Sequence, residues 1–331
     1  MKSFNHISLL GAGSWGTALA VNAHLAGRSV SVWTRQETIA AALSAGQGNP
    51  DYLPDIEVPP LKASTDIALV QHADVILSIV PAQHTRTVLA MASDFIVPGT
   101  PVVLCSKGIE QGSLKLMTDV LSETVAHAVP AVLSGPSFAH DVARNLPTAV
   151  TLACEEESLG RALTEAIGRP MFRPYWTHDL IGAEIGGAIK NVLAIACGIT
   201  DGLQLGRSAH AALISRGFAE MKRLALALGA EEATLSGLCG LGDLVLTCSS
   251  AQSRNMSFGI ALGQGQRVED ILASRSSVTE GVATTPAVLE LATRHDIELP
   301  ICAAVGMILS GQKSVQEAIV GLLSRPFKEE S

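Results

Sequence analysis

A lysine at position 190 stands in the almost unbroken apolar stretch "IGGAIKNVLAIACGI". Burying an ammonium group among apolar side chains is costly, and it lowers the pKa of the lysine. Such a lysine can exchange a proton as a general acid or base near neutral pH. The alternative is a lysine that extends its stem along the apolar surface and keeps its ammonium group in water. The adjacent Asn191 offers an amide that could orient a substrate hydroxyl group.

A second group of polar residues lies in "GLCGLGDLVLTCSSAQSRN". Asp243 stands among apolar residues, which makes it a natural partner for a buried lysine. Ser253, Arg254 and Asn255 form a polar cluster, and the planar guanidinium group of Arg254 suits a phosphate group. The alternative is a surface helix capped by Ser253 or Asn255, which leaves the apolar surroundings of Asp243 unexplained.

A glycine-rich turn, "GAGSWG", directly follows the first apolar run and opens a helical segment. In a dinucleotide-binding turn, Gly11 allows the tight turn and Gly13 lets a pyrophosphate approach the backbone. Gly16 lets the helix pack close to the strand, and the helix N-terminus faces the anion. Ser14 and Trp15 are then expected to line the cofactor. The alternative is an ordinary connection between a strand and a helix.

The choice of cofactor depends on the end of the second strand, where NAD-selective folds usually carry an acidic residue. Here that stretch reads Trp33, Thr34 and Arg35, without a carboxylate. Arg35 can face the 2′-phosphate of NADPH, so the sequence favours NADPH over NADH, or the use of both. The alternative is that Arg35 is a solvated residue at the start of a helix.

The elements that must position these residues follow two patterns. In the first half of the chain, short apolar runs predict strands at 6–11, 29–33, 74–81, 101–107, 131–135 and 148–153. Helical segments lie between most of them, at 15–26, 83–92, 114–123 and 156–167. This alternation predicts a parallel sheet covered on both faces, with ligands bound beyond the carboxyl ends of the strands. Lys107, Gly135 and Ser137 lie at or just beyond the ends of two of these strands and offer a cation and hydrogen-bond donors, although each could be a plain loop residue.

From about residue 179 the strand-like runs become scarce, and Ala, Leu and Gly dominate. Helical periodicity is present at 182–202, 208–228, 256–264 and 282–293. We therefore predict two domains, residues 1–182 around the sheet and an all-helical domain over residues 183–331.

Composition excludes several classes of protein. The net charge is −8 without long basic runs, so nucleic acid is not an expected partner, and an anionic substrate must be held by local cations. We expect neither a signal peptide nor a membrane span, since no stretch of about 18 residues is apolar without a charge. Six scattered cysteines form no C-x-x-C pair, which indicates reduced thiols in the cytoplasm rather than disulfides or a zinc site.

Taken as an ordered set, the motifs resemble the bacterial NAD(P)-dependent glycerol-3-phosphate dehydrogenases. The matching pieces are "GAGSWGTALA", "CSKGIE", "LSGPSFA", "IGGAIKNVLAIACGITDGL", "GLCGLGDLVLTCSSAQSRN" and "VTEGVATT". The resemblance implies an α/β Rossmann-type domain with a doubly wound parallel sheet, followed by an all-α domain, as in 6-phosphogluconate dehydrogenase. It also implies a cytoplasmic homodimer that reduces dihydroxyacetone phosphate to sn-glycerol 3-phosphate with NADPH or NADH, supplying phospholipid synthesis.

By position, the resemblance makes Lys190 the proton acceptor and donor, with Asp243 and Asn191 beside it. The substrate would be held by Lys107, Gly135, Ser137, Lys190, Asp243, Ser253, Arg254 and Asn255. The cofactor would be bordered by Gly11, Gly13, Ser14, Trp15, Gly16, Arg35, Lys107, Ala139, Arg254, Val278 and Glu280, and no metal is implied. Asp141 departs from the pattern, because family members often carry Glu there, and its contacts are left open.

Two other functions fit parts of the pattern. A related two-domain dehydrogenase acting on 6-phosphogluconate, hydroxyisobutyrate or ketopantoate would share the fold. The S-R-N cluster together with G-L-G-D argues against it. A non-catalytic NADPH sensor would need the glycine turn but neither Lys190 nor Asp243.

Overall fold

The computed structural model describes residues 4–275 and 278–327. The chain forms two compact units, the first made of Met1–Ser106 and Lys115–Ala183, the second of Lys107–Leu114 and Glu184–Ser331. The short segment Lys107–Leu114 therefore belongs to the second unit, although its neighbours in sequence belong to the first. The sequence-based division did not anticipate this, because nothing in "KGIEQGSL" shows which unit it packs against.

An eight-stranded sheet forms the centre of the first unit, in the order β3-β2-β1-β4-β5-β6-β7-β8. In chain order the strands are β1 (His6–Leu10), β2 (Ser29–Trp33), β3 (Lys62–Ser64), β4 (Val75–Ser78), β5 (Pro101–Leu104), β6 (Val129–Ser134), β7 (Thr148–Ala153) and β8 (Phe172–Thr177). The first six strands have the order typical of dinucleotide-binding sheets. The Rossmann-type fold expected for this half is thereby confirmed.

One pair of strands departs from the parallel sheet that the sequence predicts, because β7 runs antiparallel to β6. The connection between them contains only a five-residue helix, Ala139–Ala143. That helix is about 8 Å long, whereas a six-residue strand spans about 20 Å. The helix is too short to carry the chain back to the edge of the sheet where β6 begins. The next strand, β7, therefore runs antiparallel to β6.

Six helices and two short 3₁₀ helices surround this sheet. They are α1 (Ser14–Leu25), α2 (Glu37–Ser44), α3 (Ala82–Ala92), α4 (Met117–Thr124), α5 (Ala139–Ala143) and α6 (Glu157–Ile167), with the 3₁₀ helices at Ile67–His72 and Ser93–Phe95. The sequence analysis missed α2, α5, β3 and β8. The last of these contains Pro174, which is tolerated because β8 lies at the edge of the sheet.

The second unit is helical over its described residues. Its helices are α7 (Leu180–Gly202, which begins in the first unit), α8 (Arg207–Ala227), α9 (Glu232–Leu235), α10 (Asp243–Cys248), α11 (Arg254–Gly263), α12 (Val268–Ala273), α13 (Glu280–Arg294), α14 (Pro300–Leu309) and α15 (Val315–Leu323). A π-helical turn, Leu238–Gly242, leads into α10. The predicted all-α second half is confirmed.

Helix α7 is the central helix of the second unit. By length and composition alone it could cross a membrane, with a mean hydropathy of 1.5, but 89% of its apolar window is buried inside the protein. It therefore has the character of a core helix.

Glycines bring α7 and α11 into backbone contact. A Cβ atom at Gly198 would collide with the carbonyl oxygen of Met256, and one at Gly259 would collide with that of Ile195. The glycines four residues further along each helix repeat the contact. Only glycine permits so close an approach, and this contact fixes the position of α11 relative to the C-terminal half of α7.

A candidate active site around Lys190 and Asp243

One buried carboxylate binds two ammonium groups in the second unit. Asp243, at the start of α10, is 1% exposed, and its Oδ1 contacts the ammonium group of Lys190. The Nζ of Lys107 donates to Oδ2 of the same carboxylate at 2.7 Å. Lys190 itself is only 6% exposed. Its ammonium group is therefore held in the interior and does not extend into water.

Burial is the main cause that lowers the pKa of Lys190 to about 7. The charge of Asp243 raises this pKa, and the like charge of Lys107 lowers it. With all three groups ionised the cluster carries a net charge of +1. Release of one proton from Lys190 leaves a neutral cluster, which is the less costly state in a buried environment. This arrangement can give or take a proton near neutral pH.

The π-helical turn before Asp243 explains the glycines of "GLCGLGD". The N–H of Gly242 donates to the carbonyl oxygen of Gly237 at 3.0 Å, and a Cβ atom at Gly240 would collide with the carbonyl oxygen of Leu235. On α7, a Cβ atom at Gly186 would lie 2.6 Å from the carbonyl oxygen of Cys239. Small residues therefore let α7 approach this turn. Such π-turns occur often at functional sites.

Side-chain amides of two asparagines form a buried junction beside the cluster. Asn191 donates through Nδ2 to the carbonyl oxygen of Lys107 at 3.3 Å and accepts from Nδ2 of Asn255 at 2.8 Å. The Oδ1 of Asn255 accepts from the backbone N–H of Gly281, in the first turn of α13, at 2.9 Å. The amide of Asn191, which could orient a substrate hydroxyl group, thus has protein partners, and so has the amide of Asn255.

The first turn of α11 carries the predicted phosphate-binding cluster. Ser253 is the N-cap, and its hydroxyl group accepts from the backbone N–H of Met256 at 3.2 Å. The capping alternative is therefore correct for Ser253, but α11 is not a surface helix, because Asn255 and Met256 are buried. Arg254 is exposed at the first helical position.

Two residues near these groups were not among those predicted from the sequence, Thr247 and Arg275. Thr247 is buried, and its hydroxyl group lies 2.9 Å from Nζ of Lys190 and 3.3 Å from Oδ1 of Asp243. Thr247 could have been found from the sequence, since it stands four residues after Asp243 and hence on the same side of a helix. Arg275 donates to the carbonyl oxygen of Arg254 at 2.7 Å. No local motif marks it, because 21 residues separate the two.

In the first unit, the glycine turn has the geometry that a dinucleotide requires. Gly11 has φ +114°, and its N–H donates to the carbonyl oxygen of Trp33 at 3.0 Å. A Cβ atom at Gly16 would collide with the carbonyl oxygen of Gly11, whereas no atom of the described residues lies within 4 Å of a Cβ position at Gly13. No side chain of the described chain caps α1. The residues present therefore fit a pyrophosphate at this helix N-terminus.

The remaining predicted residues of the cofactor site are partly accessible. Ser14 donates to the carbonyl oxygen of Tyr52 at 3.1 Å, and Trp15 packs partly buried against the core of the first unit. Arg35 is exposed, two residues beyond the end of β2. In the second unit, Val278 is 49% exposed and Glu280 begins α13.

The loop after β6 contains Gly135, Ser137 and Ala139, all in the first unit. Gly135 has φ +135°, and a Cβ atom there would lie 3.0 Å from Cα of Val150. The hydroxyl group of Ser137 donates to the carbonyl oxygen of Gly135 at 3.1 Å. Ala139 begins α5, and Asp141 lies half-buried in the same turn.

Cysteines and metal ligands give no further site. All six cysteines are free thiols with buried side chains. Over residues 4–275 and 278–327, no group of three or more His, Cys, Asp or Glu side chains is arranged to hold a metal ion.

Comparisons with known proteins agree over both units. The family model for the N-terminus of NAD-dependent glycerol-3-phosphate dehydrogenase matches residues 6–160, and that for its C-terminus matches residues 179–320. Relatives named glycerol-3-phosphate dehydrogenase [NAD(P)+] are 59% identical in Maricaulis maris, over 100% of both chains, and 58% identical in Caulobacter vibrioides, over 99% of this chain and 100% of the other. A crystal structure of glycerol-3-phosphate dehydrogenase from Coxiella burnetii is 40% identical, with a TM-score of 0.92 over 97% of this chain and 99% of that one.

Proposed function

Because this chain belongs to the NAD-dependent glycerol-3-phosphate dehydrogenase family, we propose that Lys190 exchanges the proton in the reversible reduction of dihydroxyacetone phosphate to sn-glycerol 3-phosphate. The chain is an NAD(P)-dependent oxidoreductase of this specificity. The observation that supports the role of Lys190 is its buried ammonium group, held on Asp243 with a pKa near 7.

The bound nicotinamide cofactor supplies a hydride to the carbonyl carbon, so negative charge develops on the carbonyl oxygen. The ammonium group of Lys190 stabilises this charge and donates its proton to the oxygen. In the reverse direction, neutral Lys190 accepts the hydroxyl proton. Asp243 keeps the lysine in place in both directions.

The contacts of Lys190 leave one direction for the substrate. An ammonium group has three N–H bonds. One is directed to Asp243 and a second to the hydroxyl group of Thr247. The third can point at the substrate oxygen, so Thr247 helps to orient the proton that is transferred.

The substrate phosphate is assigned to the first turn of α11. Arg254 is exposed there, and the helix N-terminus favours an anion. Arg275 adds a second guanidinium group nearby, bonded to the backbone of Arg254. In a chain of net charge −8, these local cations hold the anion against the overall field.

Arg254→Lys is expected to lower the catalytic efficiency toward dihydroxyacetone phosphate by about 1.5–3 kcal/mol, the scale of a charged hydrogen bond. The substitution keeps the charge but removes the fork that binds two phosphate oxygens. Dihydroxyacetone, which lacks the phosphate, should lose much less. Arg267→Lys, on an exposed arginine before α12, is the control and should leave both efficiencies unchanged. An equal loss for the two substrates would make Lys107 the next candidate for the anchor.

The cofactor is assigned to Gly11, Gly13 and Gly16 for the pyrophosphate, with Arg35 beside the adenosine ribose. Arg35→Ala should weaken NADPH binding more than NADH binding, because only NADPH carries the 2′-phosphate. Apparent dissociation constants for both cofactors decide the point. Arg161→Ala, on a 65% exposed arginine of the same unit, should alter neither constant. Equal weakening of both cofactors by Arg35→Ala would remove Arg35 from the 2′-phosphate site.

The pH dependence should have opposite signs in the two directions. Reduction needs protonated Lys190, so its kcat/KM, which reports the free enzyme, is expected to fall as the pH rises through about 7. Oxidation needs neutral Lys190, so its kcat/KM should rise through the same region. By linkage, the buried ammonium group costs stability below about pH 7, and this cost decreases as the pH rises towards 10.5. Profiles of kcat/KM with the same slope in both directions would contradict the assignment.

The direct test of the proposed function is the oxidation of NADPH driven by dihydroxyacetone phosphate. We expect turnover with this substrate, little oxidation of NADPH by ketopantoate, and little reduction of NADP⁺ by hydroxyisobutyrate or 6-phosphogluconate. Any turnover excludes the non-catalytic sensor, and preference for one of the other three substrates would overturn the assignment of the S-R-N cluster.

Three finer points extend this proposal from the family resemblance. They are a homodimer, a cytoplasmic location and a supply of sn-glycerol 3-phosphate to phospholipid synthesis. The six buried free thiols support a reducing compartment. Sedimentation of the purified protein tests the dimer.

A further inference from the structure

We propose that Asn49 is a positioning residue for the cofactor, because its side-chain amide holds the Ala12–Gly13 peptide of the glycine turn in the orientation that admits a pyrophosphate. This role rests on the proposed function, since the pyrophosphate is assigned to that turn. Asn49 is not among the residues that the glycine motif or the family resemblance points to, and more than 30 positions separate it from Gly16.

The amide of Asn49 lies against the glycine turn, in the interior of the first unit. Asn49 is 1% exposed, and its Nδ2 donates to the carbonyl oxygen of Ala12 at 2.8 Å and to the hydroxyl group of Thr17 at 2.7 Å. A carbonyl oxygen can only accept a hydrogen bond, so the nitrogen of the amide must face Ala12. Both N–H bonds of this amide are therefore directed to the start of α1.

The bond to Ala12 fixes the plane of the peptide that joins Ala12 to Gly13. In a trans peptide, which this one is, the carbonyl oxygen and the N–H point in opposite directions. Because the carbonyl oxygen of Ala12 is directed to the buried Asn49, the N–H of Gly13 is directed away from it. Reversal of this peptide would exchange the two groups and place a carbonyl oxygen, which repels an anion, at the open start of α1.

The conformational freedom of Gly13 makes such a reversal easy. Gly13 has φ −70° and ψ −175°, and a glycine adopts positive φ about as readily as negative φ. The missing side chain lets the pyrophosphate approach, but it also removes the steric restraint on the peptide. Asn49 supplies this restraint from outside the turn.

The segment that carries Asn49 is itself anchored. The carbonyl oxygen of Asn49 accepts from the N–H of Leu53 at 2.9 Å, and Leu53 is 2% exposed within the core of the first unit. The carbonyl oxygen of Tyr52 accepts from the hydroxyl group of Ser14 at 3.1 Å. The segment therefore contacts the glycine turn at two points, one before and one after Gly13 in the sequence.

The test is Asn49→Leu, which keeps the approximate size of the side chain and removes both donors. We expect the Kd of NADPH and that of NADH, measured by cofactor fluorescence without substrate, to rise by the same factor, roughly 5- to 50-fold, the range for loss of a buried hydrogen bond. The factor should be the same because both cofactors carry the pyrophosphate. The KM of dihydroxyacetone phosphate at saturating NADPH should stay unchanged. An unchanged Kd for both cofactors, or a rise for NADPH alone, would overturn the proposal.

Two control variants separate positioning from general loss of stability. Thr17→Val removes the second acceptor of the Asn49 amide and keeps the bond to Ala12, so it should lower the Tm without changing either Kd. Asn22→Leu makes the same substitution at another buried asparagine, which lies on α1 and donates to the carbonyl oxygen of Ile167 at 2.8 Å. It should also lower the Tm alone. If either control weakens NADPH as much as Asn49→Leu does, the bond to Ala12 is not what holds the turn, and the proposal fails.

Asn49→Asp is a second variant that tests the donor itself and serves if Asn49→Leu does not fold. At about pH 9 its carboxyl group is ionised and offers no donor to Ala12, so both cofactors should bind more weakly than they bind the wild-type protein. Lowering the pH to about 6 protonates this carboxyl group, whose pKa is raised by burial, and restores an O–H donor. The ratio of its Kd to that of the wild-type protein at the same pH should therefore decrease.

A ratio that stays constant or increases as the pH is lowered would overturn the proposal. Failure of the proposed function is distinguishable, since it would appear in the wild-type protein as absence of turnover with dihydroxyacetone phosphate.

Discussion

Lys190→Ala is expected to lower kcat by about 10²–10⁴, the range for a lost general acid–base group. The ammonium group is buried on Asp243, and no other titratable group of the cluster can take its place without leaving that carboxylate. Stability should hold or rise, because a buried charge is removed while Lys107 still neutralises Asp243. Steady-state kinetics and denaturant unfolding measure the two effects.

Two further measurements sharpen this prediction. A small primary amine added to the Lys190→Ala variant should restore part of the turnover, since it supplies the missing proton donor. Lys222→Met is the matched control, because Lys222 is also a helical lysine paired with a carboxylate, Glu232, but is 31% exposed. It should leave kcat unchanged. Near-normal turnover of Lys190→Ala would mean that Lys190 does not carry the proton.

Asp243→Asn is expected to lower the free energy of unfolding by about 3–5 kcal/mol, because it leaves buried ammonium groups without their counter-charge. It should also lower the pKa of Lys190 further, since the charge of Asp243 is the main influence that raises it. Little of the lysine would then be protonated at neutral pH, and reduction would slow more than oxidation. Chemical denaturation and the pH profile of kcat measure these outcomes.

The matched control for Asp243→Asn is Asp201→Asn. Asp201 also accepts from a neighbouring group, Nδ1 of His210, but its side chain is 27% exposed. Asp201→Asn should change the free energy of unfolding by well under half as much as Asp243→Asn, because solvent screens the charge of Asp201. Unchanged stability of Asp243→Asn would show that the two lysines do not depend on this carboxylate.

The parts of the fold that repeat local patterns could be predicted from the sequence. The glycine turn, the central strands and α7 each have a periodicity or motif within a few residues. The direction of β7 could not be predicted, because it depends on the length of α5 relative to a strand. The segment Lys107–Leu114 was equally hidden, since its contacts with Asn191 and Ala283 involve residues more than 80 positions away.

The candidate site shows the same limit. Lys190 and Asp243 were identifiable because a charge in an apolar stretch requires a partner. The hydrogen-bond partners of Asn191 and Asn255 were not, because residue type does not show which way an amide points or what it contacts. Asn255 stays a predicted substrate ligand, and its hydrogen bonds to Asn191 on α7 and to Gly281 on α13 could not be predicted.

The glycine contacts between α7 and α11 bear on efforts to make this enzyme more resistant to heat. Replacing a helical glycine by alanine usually stabilises a helix by about 1 kcal/mol, which makes Gly198 and Gly259 attractive targets for protein engineering. Here a methyl group would push the two helices apart at a backbone contact and move Asn255 away from Asn191. The absence of a side chain at Gly198 and Gly259 is therefore needed to align the site, even though glycine has a low helix propensity. Substitutions that raise the thermal stability must be sought elsewhere in the chain.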